Sequence, residues 1–173
     1  LGDLYEINID GGKAHKLTSG VAWDIQPKYS PDGKHLVFIS DRKGGDNIWI
    51  QNLASGNLRL VTNEKFRLLN NPSWSPDGRH ILAKKHFTTS RSLGTGEIWL
   101  YDAFASQIQV GQQMVARIDE KFQKELGEPR FSSNGLKVYY TQNVTPGNTF
   151  IYHEDSNGEL FNIMEHDISS RKT

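Results

Sequence analysis

The sequence has no cysteine. That excludes disulfides, thiolate metal sites and a thiol nucleophile, and it fits any compartment. Net charge is missing as well, since 20 Lys+Arg balance 20 Asp+Glu. Phosphate binding needs a basic excess or a basic stripe, so a nucleic-acid module is disfavoured. Long apolar runs are absent, the longest being four or five residues. A membrane-crossing helix needs about 20. No leader precedes Leu1, as expected of a mature, trimmed or excerpted chain, or of a cytosolic one without its start. What remains is 173 residues with 36% hydrophobic side chains, 16 Gly and 6 Pro. A chain of that size hides roughly 70% of its unfolded surface, enough for one cored domain.

A repeat runs through the chain. Gln26-Pro27-Lys28-Tyr29-Ser30-Pro31-Asp32-Gly33 returns as Asn71-Pro72-Ser73-Trp74-Ser75-Pro76-Asp77-Gly78 and, worn, as Glu128-Pro129-Arg130-Phe131-Ser132-Ser133-Asn134-Gly135. Ser30, Ser75 and Ser132 are 45 and 57 residues apart. A period near 40–45 is that of four-stranded propeller blades. Pro presets φ, Asp caps its own turn and Gly takes positive φ. Asp32, Gly33, Asp77, Gly78, Asn134 and Gly135 are therefore expected to be turn residues. Short alternating runs follow each turn, at 36–39, 81–83 and 138–141, then at 47–50 and 97–101. They read as half-buried strands.

With blade strands named a to d, the chain reads c-d over 3–18, a blade over 26–62, a blade over 71–116 and a partial blade over 128–168 with an insertion at 143–160. Strand d of the second full blade is placed near Gln113-Met114-Val115. The stretch 117–126 reads as one helical turn or a loop. Two runs compete for the last strand c, 149–152 and 160–164. The predicted class is all-β, a propeller segment of about three blades. Tyr5, Trp49 and Trp99 share one repeat position and Tyr29, Trp74 and Phe131 another, so all six are expected in the inter-blade core.

Candidate chemistry is sparse. Asp32 and Asp77 read as turn caps in preference to general bases. Asp41-Arg42 reads as a loop ion pair, with a ligand-binding pair as the alternative. The six histidines form neither His-x-His nor His-Glu-x-x-His, so no metal site is expected. His35 and His80 are repeat-equivalent and read as structural. No Gly-x-Ser-x-Gly elbow occurs. Gly94-Thr95-Gly96 leads into a strand and lacks the helix N-terminus that holds a phosphate. Residues 153–158 imitate a calcium loop without its acidic first and twelfth positions, so a polar turn is expected. Asn143-Val144-Thr145 is a formal glycosylation sequon, treated as chance. Lys84-Lys85-His86 is expected on a solvated loop. No cofactor is expected.

Pro-x-aromatic-Ser-Pro-Asp-Gly, Phe38-Ile39-Ser40-Asp41-Arg42, Asn47-Ile48-Trp49 and Leu60-Val61-Thr62 resemble the TolB-type propeller repeat. Similar blades occur in prolyl-oligopeptidase-type peptidases and secreted amidohydrolases, and residues 94–102 and 139–158 look most like the amidohydrolase subgroup. The resemblance implies a non-catalytic, periplasmic or secreted module that binds a protein or other macromolecule through its loop face or channel. The alternative is a propeller segment of a larger hydrolase. Twelve strands make three blades, so a homodimer closing a six-bladed ring is expected. In that dimer the a-b pair at 128–141 receives 3–18 of the other chain, and residues after Asn143 stay outside the blade.

Overall fold

The computed structural model describes residues 2–66, 68–88, 94–116, 125–146 and 160–173. They contain no helix, and their strands form four separate antiparallel sheets. A two-stranded sheet joins β1 (Tyr5–Glu6) and β2 (His15–Lys16). The first full blade is β3 (Asp24–Tyr29), β4 (His35–Ser40), β5 (Asn47–Asn52) and β6 (Leu58–Leu60) in that order. The second is β7 (Leu68–Trp74), β8 (His80–Thr88), β9 (Gly94–Asp102) and β10 (Gln112–Val115). A third sheet holds β11 (Leu126–Phe131), β12 (Lys137–Asn143) and β13 (Phe161–Asp167).

The strand at β13 settles which run is strand c: it begins within 160–164 and pairs along all of β12. The rival run 149–152 lies outside the described residues, as do 117–124 and the 153–158 loop. Residues after Asn143 therefore do return to the last blade, which corrects the expectation that they stay outside it. The place next to β12 that the expected dimer reserved for strand c of a second chain is occupied by the chain's own β13.

The sheets stack through three apolar layers. Leu4, Leu36, Phe38 and Trp49 lie between the two-stranded sheet and the first blade. Val37, Ile39, Ile48 and Ile50 meet Leu69, Trp74, Ile81 and Tyr101 between the two full blades. Leu82, Ile98, Leu126, Val138 and Tyr140 fill the next gap. The alternation of β4 explains the layering, because Leu36 and Phe38 face one neighbour while Val37 and Ile39 face the other.

Trp49 and Trp74 are buried, and Trp99 and Phe131 are half-buried against these layers. Tyr5 and Tyr29 depart from the expected core, being 59% and 48% exposed. Their repeat mates face the preceding blade. For Tyr5 no preceding sheet is described, and for Tyr29 only the outer pair β1 and β2 is present. The Tyr29 hydroxyl instead donates to Glu6 Oε1, which pushes its pKa up to about 12.

Candidate functional site

The inner edge of each sheet is its first strand, and β3, β7 and β11 pack side by side. Each carries a bulge at one repeat position, between Ile25 and Lys28, Asn70 and Ser73, and Gly127 and Arg130. The bulge residues Gln26, Asn71 and Glu128 have φ of +56°, +53° and +46°, and each precedes a proline. A left-handed non-glycine residue costs about 1–3 kcal/mol, and such residues concentrate at functional positions. A bulge also re-aims its side chain. Gln26 spans to the next blade, where its Oε1 accepts the Asn71 N–H at 2.6 Å. Trp74 Nε1 ties the same blades by donating to the Lys28 carbonyl at 3.0 Å. Glu128 is exposed. The inner edge thus carries an amide, an amide and a carboxylate, one per blade. The sequence showed the signal as a polar residue before the repeat proline, but the residue type alone did not reveal its left-handed backbone.

The opposite resource is the face of the turns. Gly33, Gly78 and Gly135 have φ of +68°, +70° and +73°, and each donates its N–H to the repeat serine carbonyl at 2.9 Å. Two repeat-related grooves lie between consecutive turns. One has Pro31, Asp32, His35, Pro76 and Phe104 on its walls. The other, of about 650 Å³, has Pro76, His80, Leu100, Phe131, Leu136 and Ile168. His35 meets the Phe104 ring edge-on at 5.1 Å. Among the described residues no group of three His, Asp or Glu side chains is placed to hold a metal.

Arg42 and Asp41 do not form the expected pair. Arg42 Nη2 donates to both oxygens of buried Asp24 at 2.6 Å, and its Nε donates to Ser40 Oγ at 3.0 Å. The guanidinium also lies 5.4 Å and 5.2 Å from the Phe38 and Trp49 ring centres. Asp41 Oδ1 accepts the Trp23 N–H at 2.8 Å. With Nε and Nη2 donating to Ser40 and Asp24 inside the blade, Arg42 acts as a structural clamp.

The basic cluster is also corrected. Lys84 and Lys85 are buried on β8, not solvated on a loop. Lys84 pairs with Glu125, just before the third sheet, and Lys85 with Glu64, just after the first blade. Lys85 Nζ also sits 4.2 Å above the Trp99 ring, whose Nε1 donates to Glu97 Oε2 at 2.8 Å. Burial, with Lys84 adding repulsion, holds His86 below the usual imidazole range. The sequon residue Asn143 is buried, and its Oδ1 accepts the Thr145 N–H at 3.0 Å.

A profile described as "TolB beta propeller domain" matches residues 2–108. An uncharacterized peptidase, YuxL, of Bacillus subtilis is 26% identical over 82% of this chain and 25% of its own length. Dipeptidyl-peptidase 5 of Porphyromonas gingivalis is 32% identical over 56% of this chain and 16% of its own. The chain thus spans a quarter or less of these curated relatives. Among solved structures, putative TolB from Agrobacterium tumefaciens superposes with a TM-score of 0.61 at 18% identity, over 94% of this chain and 56% of that one. An oligogalacturonate lyase from Vibrio parahaemolyticus gives 0.67 at 16%, over 99% and 46%. At these identities the superpositions speak for fold alone.

Proposed function

The chain belongs to the TolB β-propeller family, and from that premise we propose that it is a non-catalytic segment that binds an extended macromolecular partner along its inner edge. The observation that carries this reading is the row of Gln26, Asn71 and Glu128, three left-handed polar residues at one repeat position. Backbone strain is kept in register across three sheets; at Gln26 it also serves the tie to the next blade, and at exposed Glu128 it leaves the carboxylate presented. Amide and carboxylate groups on a strand edge suit the N–H and C=O groups of an extended polypeptide. By resemblance to TolB, the compartment is periplasmic or secreted. A pool of random unstructured peptides tests the reading, with Glu128→Lys as the comparison. Wild type should retain peptides that the variant loses by ~tenfold, the effect of about 1.4 kcal/mol, at equal melting temperature. Equal retention, or none, would overturn it, and peptide hydrolysis by the purified chain would remove "non-catalytic".

One observation favours a second reading. The YuxL match covers most of this chain but a quarter of the peptidase, which suits a propeller portion of a larger hydrolase. A Gly-x-Ser-x-Gly hydrolase domain encoded in the same reading frame would establish it.

A further inference from the structure

We propose that the groove between the second and third repeat turns is a binding site for a small aromatic amine, an aryl ring joined through a short chain to an ammonium group. The groove between the first and second turns shows how a ring is held there, because the chain fills it with one of its own. Phe104 stacks on Trp74 with ring centres 6.2 Å apart and planes 28° apart, and it meets the His35 ring in a T-shaped contact at 5.1 Å. Offset and edge-on geometries of this kind are the favoured ones for aromatic pairs.

The third sheet lacks that ring. Ala103 and Ile168 hold the same position, each donating its N–H to the carbonyl of the residue after the turn glycine, Arg79 or Leu136, at 2.9 and 3.1 Å. The next residue is Phe104 in the second blade and exposed Ser169 in the third. The groups that receive Phe104 recur without it: Phe131 stands where Trp74 does, and His80 where His35 does. The floor reports the loss. Val37 opposes Ile50 as Leu82 opposes Leu100, yet Ile50 is 2% exposed and Leu100 is only half-buried. The volume rises from about 420 to about 650 Å³ between the two grooves, within the range of small-molecule sites. Leu100, Phe131 and Ile168 pack on the apolar layer beneath, so the floor stands ready-made.

Charge sets the other half of the ligand. Where the second blade has Asp77 and Arg79, the third has Asn134 and Leu136. Asp77 is therefore the one carboxylate on the walls of this groove, and among the described residues no lysine or arginine lines it. The Ser75 hydroxyl and the Arg79 N–H both donate to Asp77 Oδ1 and hold the carboxyl below its usual range. Oδ2 takes part in neither bond. An ammonium group complements that oxygen through a charge-assisted hydrogen bond. The groove lies on the face of the turns, apart from the inner edge, so the two proposals stand or fall separately.

The probe is phenethylammonium, added to the full chain and followed through the methyl signals of Leu100, Leu136 and Ile168. These should shift saturably, with a Kd of roughly millimolar order for so small a ligand. Phenethyl alcohol keeps the ring without the charge and should bind about two- to fivefold more weakly. Butylammonium keeps the charge without the ring and should give no saturable shift. Ser169→Phe supplies the ring from the chain itself and should abolish the response to the probe. Asp77→Asn, whose turn an amide can hold as at Asn134, should bind the amine and the alcohol alike. No saturable shift at these methyls, or butylammonium binding as well as the aromatic amine, would overturn the proposal. So would equal binding of amine and alcohol by the wild type, or undiminished binding by Ser169→Phe at the wild-type melting temperature.

Discussion

Asn134 Oδ1 holds the same two hydrogen bonds as Asp77 Oδ1. One comes from the serine hydroxyl two residues back and one from the backbone N–H two residues on, at 2.7 and 3.1 Å for Asn134. A single oxygen is enough for this turn, and an amide can supply it in place of a carboxylate.

The difference between the two is charge. The serine hydroxyl, then the backbone N–H, lowers the pKa of Asp32 and of Asp77. A lowered folded pKa gives stability that is complete above the unfolded value, near 3.9, and is lost as pH falls through the folded one. Asp32→Asn/Asp77→Asn should flatten the stability profile below about pH 4, because the contribution of the ionised carboxylates at neutral pH is removed and the acid end is left almost unchanged. Urea melts between pH 2 and 7 would measure it, and an undiminished acid slope would assign that slope to other carboxylates.

Repeat-equivalent aromatics should differ in worth. Trp49→Ala empties a packed layer and should cost about 3–5 kcal/mol. Tyr5→Ala, at the matching but exposed position, should stay within about 0.5 kcal/mol. Chemical denaturation of both variants checks the contrast.

Arg42→Ala leaves Asp24 buried and unpaired and should cost about 3–5 kcal/mol. Arg42→Met combined with Asp24→Leu should recover most of that loss, because the buried charge goes with its partner. Failure of the pair to recover would show that the guanidinium's contacts with Phe38 and Trp49 dominate.

Two glycines in left-handed conformation separate backbone strain from space. Gly33 has open surroundings, so Gly33→Ala should cost on the order of 1–2 kcal/mol. A Cβ on Gly45 would stand 2.6 Å from the Glu64 carbonyl oxygen. Gly45→Ala should therefore cost clearly more, as thermal melts of the two variants would show.

The blade order was legible because the repeat turn uses side chains whose preferences act locally: proline, aspartate and glycine. Strand faces followed from alternation. Tyr5 and Tyr29 were misread because their burial depends on a neighbouring sheet, which periodicity within one repeat does not report. Lys84 and Lys85 were misread because their partners, Glu64 and Glu125, come from distant connectors. A basic dipeptide looks solvated until the fold brings carboxylates to it. The inner-edge row was half legible: the polar residue before each proline was visible, and its strained backbone was not.

Lys84 and Lys85 are neighbours in sequence and point to opposite faces of β8. One grips the connector that enters the third sheet, the other the connector that leaves the first blade. In stacked repeats, stability is a sum of unit and nearest-neighbour terms, and units at the ends can fray independently. A dipeptide that fastens both neighbours to the central blade opposes such fraying. Loss of β8 would release both connectors at once, and loss of either connector would leave a buried ammonium group on β8 without its carboxylate. The unfolding of this segment should therefore be cooperative across its sheets, with the middle blade, not either end, setting when the whole array lets go.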